Sequence, residues 1–201
     1  MKALKLALAA SILALFSGVL IGKQMYEYKY FFNTPPIVVY IPHETVVKQS
    51  IRDVILTEYK SYNVSFSDAD WIADNILIAE KTYQVPSNIL LALIKVESSF
   101  VINSLSNKDA VGLTQVRPSV WKDEIEYNLY DPAQNILAGA QILRNYKNEC
   151  GNWECALKAY NIGITNFKAG KQKKPAAQYV KKIKEELQRI DIAMYTPPER
   201  Y

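Results

Sequence analysis

Apolar residues recur every three or four positions along most of the chain beyond residue 43, and this spacing is typical of amphipathic helices. The pattern predicts helices over 44–62, 67–83, 86–98, 132–147, 153–161 and 176–190. No stretch has the period-two alternation of a convincing strand, and no internal repeat is visible. The sequence therefore predicts an all-α fold.

The N-terminal segment has a different pattern. Lys2 and Lys5 precede an apolar run over 6–22, and a basic start followed by such a run is typical of an export signal. The run lies at the short limit for a membrane-spanning helix. The end of the run, at 17–22, lacks small residues at A-x-A spacing, so an uncleaved anchor is favoured over a cleaved signal, although both interpretations remain open. Either one places the rest of the chain outside the cytoplasm, tethered to the periplasmic side of an inner membrane or exported.

The remaining chain divides into three parts. Residues 23–64 combine a proline-broken linker with an amphipathic helix, which either packs on the following domain or pairs with a partner in the envelope machinery. Residues 65–190 hold the other predicted helices and form the expected main domain. Residues 191–201 read as a tail.

Composition and charge narrow the functional classes. Hydrophobic residues make up 49% of the 201 residues and charged residues 22%, which is ordinary for a folded globular protein. The net charge of +4 is too mild to indicate nucleic acid, and no nucleic-acid motif is present. Basic residues nevertheless concentrate over 168–189. This cationic stretch is either a surface for an anionic polymer or an ordinary solvated helix face.

The two cysteines, Cys150 and Cys155, bracket a predicted turn between helices. In an oxidising compartment they can form a disulfide that closes this turn; the alternative is a pair of reduced thiols. A zinc site is not expected, since there is no second cysteine pair and His43 is the only histidine. We expect no metal and no cofactor. A serine hydrolase is also excluded, because the sequence contains no Gly-x-Ser-x-Gly.

Glu97 is the exception in an otherwise apolar helix. It follows Leu90, Leu93 and Ile94 at helical spacing and therefore shares their face. Apolar burial and the negative end of a helix both raise the pKa of a carboxyl. A carboxyl that stays protonated near neutral pH suits a general acid. The alternative is a glutamate that leaves the apolar face where the helix ends in solvent.

Five short motifs follow one another around and beyond this residue. They read Val-Glu-Ser-Ser-Phe at 96–100, Gly-Leu-Thr-Gln-Val-Arg-Pro at 112–118, Asp-Pro-Ala-Gln-Asn-Ile at 131–136, Ala-Tyr-Asn-Ile-Gly at 159–163 and Tyr-Val at 179–180. Their order and spacing resemble the soluble lytic transglycosylase domain family, a relative of goose-type lysozyme, over roughly residues 66–190.

The resemblance implies a lysozyme-like helical catalytic domain that acts on peptidoglycan strands without a cofactor. It implies cleavage of the MurNAc-GlcNAc β-1,4 bond with formation of 1,6-anhydroMurNAc, and Glu97 would be the single catalytic acid and base. Two other functions stay open: a hydrolytic muramidase, in which Asp109 would act as a second carboxylate, and a non-catalytic peptidoglycan-binding or assembly module.

Substrate-binding roles are carried over from the matched positions. Ser106 would form a hydrogen bond near the catalytic carboxyl, and Gln115 would line the sugar groove. Tyr160 would direct its hydroxyl at the cleavage site, and Asn161 would hold that turn. Tyr179 would close the site or bind sugar. Both tyrosines have an alternative as core aromatic residues with a hydrogen-bonded hydroxyl.

Two positions depart from the family pattern. Thr114 replaces a methionine, and Arg117 stands where an apolar residue precedes Pro118. Both substitutions are expected to make the groove more polar, and Arg117 is a candidate to bind a peptide-stem carboxylate.

Overall fold

The computed structural model of the protein describes residues 43–62 and 64–195. The predicted signal or anchor segment, the linker up to residue 42 and the end of the tail lie outside these residues. In this part of the chain the secondary structure is helical apart from isolated bridges between Leu105, Val111 and Val116. The all-α prediction is confirmed there. The same residues include no helix with the length and apolar character that crossing a membrane requires.

Eight α-helices follow one another in the described residues. They are α1 (His43–Glu58), α2 (Phe66–Tyr83), α3 (Ser87–Ser98), α4 (Pro118–Trp121), α5 (Pro132–Cys150), α6 (Trp153–Ile162), α7 (Ile164–Lys168) and α8 (Lys173–Tyr195), with a short 3₁₀ turn over Lys60–Tyr62.

Helix α3 lies at the centre of the core. Every residue from Ile89 to Ile94 is buried, as the nearly uninterrupted apolar stretch predicts. Helices α2 and α8 pack against α3, and α5 and α6 complete the layer around it. The last turn of α3 carries Glu97, so the most apolar helix positions the candidate acid.

Helix α1 packs on the rest of the domain through the face that contains Ile51, Val54 and Ile55, all of which are buried in the main core. Its polar edge is tied to α2 by Lys48, whose Nζ lies 2.9 Å from Asp70 Oδ2 and 2.8 Å from an oxygen of Asp74. The apolar face of α1 is therefore covered within the chain, and of the two predicted alternatives the structure shows packing on the domain.

Several helix boundaries differ from the prediction. Helix α2 begins at Phe66, one residue before the predicted start, and is capped by Ser65, whose side chain accepts a hydrogen bond from the Asp68 amide. Helix α8 begins at Lys173, since Pro175 is tolerated in a first helical turn, where an amide has no helical partner to lose. The short helices α4 and α7 were not predicted, because so few residues carry no readable period.

A disulfide joins Cys150, the last residue of α5, to Cys155 in the first turn of α6. Gly151 between them has a positive φ of 84°, a backbone conformation that glycine adopts without steric cost. Asn152 then caps α6 by accepting a hydrogen bond from the Cys155 amide at 2.9 Å. The turn thus reverses the chain so that α5 and α6 pack side by side.

Asn135, fully buried in the first turn of α5, holds the loop that leads to α4. Its side-chain amide donates to the carbonyl oxygens of Val111 at 2.9 Å and Leu129 at 3.0 Å, and its Oδ1 accepts from the Thr114 amide at 2.9 Å. The backbone of Gly112 passes so close that an added Cβ would lie 2.5 Å from this side chain. One asparagine therefore fixes the turn that contains the second sequence motif.

Thr114 points into the core and not into the groove. It is fully buried, and its hydroxyl lies 2.8 Å from both the backbone oxygen and Oδ1 of Asn135. It packs against α5 at Gly139, where an added Cβ would come within 2.6 Å of Thr114 Cβ. The expectation that Thr114 makes the groove more polar is wrong, because its hydroxyl is used in this buried network.

We expect Asn135→Ala to lower the free energy of unfolding by about 3–5 kcal/mol, because three buried backbone groups would lose their partners together. The matched control is Asn145→Ala, at an exposed position of the same helix, which should change stability by less than about 0.5 kcal/mol. Urea unfolding followed by circular dichroism measures both. Equal stability of the two variants would contradict the role given to Asn135.

Candidate active site

The site is built around the end of α3. Glu97 lies in its last turn, and the two residues after the helix, Ser99 and Phe100, have positive φ angles of 51° and 65°. Positive φ at an aromatic residue is strained and persists only where packing imposes it. Phe100 is buried, with its ring centroid 5.0 Å from that of Tyr59. Packing next to α1 therefore fixes the turn that ends the Glu97 helix.

The Glu97 carboxyl is half-buried and receives one strong hydrogen bond. Burial raises the pKa of Glu97 to about 7, and the hydrogen bond from Tyr179 acts in the opposite direction. The Tyr179 hydroxyl donates to Glu97 Oε1 at 2.6 Å. A substantial share of Glu97 is therefore protonated at neutral pH, which a general acid requires.

Tyr179 comes from α8, which packs against α3. The side chain is buried, and burial together with the nearby Glu97 charge raises the pKa of Tyr179 well above its usual value. The hydroxyl consequently remains a donor throughout the ordinary pH range. Tyr179 is both a core aromatic residue and a partner of the candidate acid, so the two interpretations of this residue do not exclude each other.

Tyr160 lies on α6 and brings a third motif to the same place. Its hydroxyl donates to the carbonyl oxygen of Thr114 at 2.8 Å. Burial raises the pKa of Tyr160. The negative charge of Glu97 raises this pKa further, because the two side chains are close enough to interact electrostatically. The structure thus brings Glu97, Tyr160, Tyr179 and the turn at Thr114 together.

Gln115 shapes the turn between the loop and α4. Its φ is 51°, and its Nε2 donates to the carbonyl oxygens of Gly112 at 2.9 Å and Ser104 at 3.3 Å. The side-chain nitrogen is thus engaged with the backbone of its own loop, while the residue remains half-buried.

Ser106 organises the preceding loop. Its hydroxyl oxygen accepts hydrogen bonds from the amides of Lys108 at 3.2 Å and Ala110 at 3.0 Å. These bonds leave the hydroxyl proton of Ser106 available to a further acceptor.

Arg117 and Asn161 are the two exposed members of the predicted set. Arg117 immediately precedes α4. Asn161 is close to the end of α6 and lines a groove that also contains Tyr179. The sequence pointed to neither Gln178 nor Lys182 of α8, which line the same groove; the only signal was the cationic stretch over 168–189.

The remaining acidic residues take other positions. Asp131 caps α5 by accepting a hydrogen bond from the Gln134 amide at 2.9 Å. Asp109 is exposed in the loop, with a φ of 57°. Among the described residues, no other acid contributes to the pKa shift of Glu97. In the same part of the chain, no group of three potential metal ligands converges.

We expect Glu97→Gln to be more stable than the wild type at pH 8 by up to about 3 kcal/mol, a difference that disappears below pH ~4.5. The pKa of Glu97 is raised to about 7 in the folded protein, so the folded state binds the proton more tightly than the unfolded state. The wild type therefore loses stability as the pH rises from the unfolded value to about 7. Urea unfolding of both proteins between pH 4 and 8 measures this difference.

Glu154→Gln is the control, because the pKa of Glu154 is shifted in the opposite direction from that of Glu97. Lys158 and then Lys184 hold the pKa of Glu154 at about 2, so its contribution to stability is present above the unfolded pKa and is lost as the pH falls. This variant should gain no stability at pH 8. A difference between Glu97→Gln and the wild type that does not depend on pH would contradict the raised pKa of Glu97.

Known proteins provide an independent comparison. The profile of the Transglycosylase SLT domain matches residues 74–183. A protein named Transglycosylase from Enterobacteria phage PRD1 is 32% identical over 101 residues, which are 50% of this chain and 38% of the phage protein.

The fold is similar to the X-ray structure of an inactive mutant of Lytic Transglycosylase Slt from Pseudomonas aeruginosa. The TM-score is 0.54 at 17% identity, over 77% of this chain and 31% of Slt. At this identity the similarity shows the fold, and the chain spans well under half the length of either relative. The SLT profile, by contrast, covers more than half of this chain and all of the site, and the chain belongs to the transglycosylase SLT domain family.

Proposed function

We propose that the protein is a peptidoglycan lytic transglycosylase that uses Glu97 first as an acid and then as a base. One observation carries the proposal: a carboxyl at the end of a buried helix, with its pKa raised to about 7 and one hydrogen-bond donor, Tyr179. Because the chain belongs to the transglycosylase SLT domain family, we infer that the reaction of this carboxyl is transglycosylation.

In the first step, Glu97 protonates the glycosidic oxygen between N-acetylmuramic acid and N-acetylglucosamine. Tyr179 donates to Oε1, so the transferable proton sits on Oε2. The bond from C1 of muramic acid to the leaving oxygen breaks, and Glu97 becomes a carboxylate. A hydrogen bond to a charged acceptor is stronger than one to a neutral acceptor, so Tyr179 stabilises the anion that this step produces.

In the second step, the Glu97 carboxylate removes the proton from the 6-hydroxyl of muramic acid, and that oxygen bonds to C1. The product is a 1,6-anhydro ring, Glu97 regains its proton, and no water is consumed. Most glycosidases pair two carboxylates across the scissile bond. The exposure of Asp109 and the helix-capping position of Asp131 support a one-carboxylate mechanism, in which the acetamido group of the substrate stabilises the oxocarbenium-like centre.

The other predicted residues would bind and position the sugar chain. Tyr160 would hold the Thr114 turn against Glu97, and Gln115 would keep that turn in shape. Ser106 would direct its free hydroxyl proton towards the site. Asn161 and Arg117 are exposed and available for direct contacts with substrate.

Mass spectrometry of peptidoglycan digested in H₂¹⁸O by the full chain in detergent tests this function. The expected products are 1,6-anhydromuropeptides that contain no ¹⁸O. Glu97→Gln should lower the rate by about 10²–10⁴-fold, the usual contribution of a general acid. Slt is likewise inactive as a glutamate-to-glutamine mutant.

The wild-type rate should fall as the pH rises through about 7, because the first step needs protonated Glu97.

Glu154→Gln, an exposed glutamate on α6, is the control and should keep the wild-type rate. Reducing-end muropeptides that carry one ¹⁸O would identify a hydrolytic muramidase instead. If the wild type and Glu97→Gln both bind peptidoglycan but release no products, the protein is a non-catalytic wall-binding module.

The apolar run over 6–22 supports a second part of the proposal, that the enzyme acts in the cell envelope while held by an N-terminal anchor on the periplasmic side of the inner membrane. Membrane fractionation tests it. Full-length protein should sediment with membranes at its full mass, and a variant without residues 1–22 should not. A shorter protein in the soluble periplasmic fraction would indicate a cleaved signal.

A further inference from the structure

Glu186 is a charged exception on the buried face of α8. Ala176, Tyr179, Ile183 and Ile190 are buried on this face at helical spacing, and Glu186 lies between the last two. Its side chain is 15% exposed. A carboxylate is rarely buried to this extent unless partners compensate for the loss of water. The position therefore indicates a specific polar contact between α8 and the helices beneath it.

Side chains from three parts of the fold meet at the Glu186 carboxylate. The hydroxyl of Tyr59, which directly follows α1, donates to Oε2 at 2.7 Å. The Lys95 ammonium of α3 lies 4.0 Å from Oε1, and Nε of Arg189 lies 3.5 Å from Oε2. Lys95 is as buried as Glu186, so solvent screens this pair less than it screens a surface pair.

The partners of Glu186 also contact the turn that ends α3. The Lys95 ammonium lies 4.8 Å from the ring centroid of Tyr62 and 5.7 Å from that of Tyr59, which are cation–π distances. The Tyr59 ring in turn packs on Phe100, with 5.0 Å between the centroids. Lys95 and Tyr59 therefore connect α8 both to the last turns of α3 and to the residue that terminates this helix.

Two polar contacts thus join α8 to α3 near the candidate acid. Tyr179 donates to Glu97, and Glu186, seven residues further along α8, faces Lys95, two residues before Glu97. Seven residues are about 10.5 Å along a helix. Apolar burial has no direction and tolerates small shifts of one helix along another, whereas a hydrogen bond of 2.6 Å depends strongly on distance and angle. The apolar interface alone does not specify the position that Tyr179 needs.

We propose that Glu186 is a positioning residue for the candidate acid. Held by Tyr59 and Lys95, it fixes the place of α8 along α3. The Tyr179 hydroxyl is thereby kept in contact with Glu97. The inference rests on the proposed function in one respect, that Glu97 is the acid. Without Glu186, the bond from Tyr179 would be weaker, and the Glu97 carboxylate formed in the first step would be less stable.

The pKa of Glu97 tests this role and requires no turnover. It is measured by NMR titration of the ¹³C-glutamate-labelled full chain in detergent, with Glu97→Gln identifying the resonance. Glu186→Ala should raise this pKa by roughly 0.5–1, about half the effect of losing a hydrogen bond to a charged group completely. The direction of the change is informative, because removal of a nearby negative charge would by itself lower the pKa of a carboxyl.

Two further variants separate positioning from a loss of folding. Tyr59→Phe keeps the ring on Phe100 and removes only the hydroxyl that holds Glu186, so it should raise the pKa of Glu97 by a smaller amount. Glu185→Ala is the matched control: it removes the same side chain from the adjacent, exposed position of α8 and should leave this pKa as in the wild type.

The same change is then made in a Tyr179→Phe background. Glu186→Ala should cause no further rise there, because the hydrogen bond that it positions is already absent. A rise that persists in this background would overturn the positioning role. So would an unchanged or lowered pKa of Glu97 in whichever of Glu186→Ala and Tyr59→Phe is folded.

Kinetics on soluble glycan strands supply the catalytic readout. Glu186→Ala should lower kcat by about three- to tenfold, the factor that corresponds to the expected pKa change, and should leave KM unchanged. A raised KM at unchanged kcat would reject positioning in favour of substrate binding. If the wild type shows no turnover, the proposed function fails, and the NMR titrations still decide whether Glu186 positions Tyr179.

Discussion

Desolvation of one carboxyl is the interaction on which the site depends. Glu97 ends a helix whose central residues are all buried, and burial is the larger influence on its pKa. The single donor from Tyr179 keeps the charged form accessible without making it dominant. This balance gives one side chain both states that the two-step reaction requires, acid before bond cleavage and base afterwards.

Much of the surrounding fold maintains that environment. Helix α1 packs next to Phe100, whose strained backbone ends the Glu97 helix, and α8 supplies Tyr179. The turn at Thr114 is held from two sides, by Asn135 of α5 and by Tyr160 of α6. Segments distant in sequence are thus joined by buried hydrogen bonds, which are geometrically specific and costly to leave unmade.

The sequence predicted the features that depend on local pattern. Helix α3 and the position of Glu97 at its end follow from a long apolar period. The inward direction of the Thr114 side chain was not predictable, because it depends on the close approach of Gly139 from another segment. The groove was missed for the same reason, since Asn161 and Lys182 meet only in the folded chain. Pattern identifies elements and motifs, and tertiary packing decides which way a side chain points.

The most direct measurement is the pKa of Glu97 itself, by NMR titration of the carboxyl carbon in ¹³C-glutamate-labelled protein, with Glu97→Gln identifying the resonance. The account predicts a pKa of about 7 in the wild type. In Tyr179→Phe the pKa should be higher still, because the hydrogen bond that favours the charged form is gone. A pKa close to the ordinary 4.5 in both proteins would contradict the account, since Glu97 would then be ionised at neutral pH and unable to act as the acid.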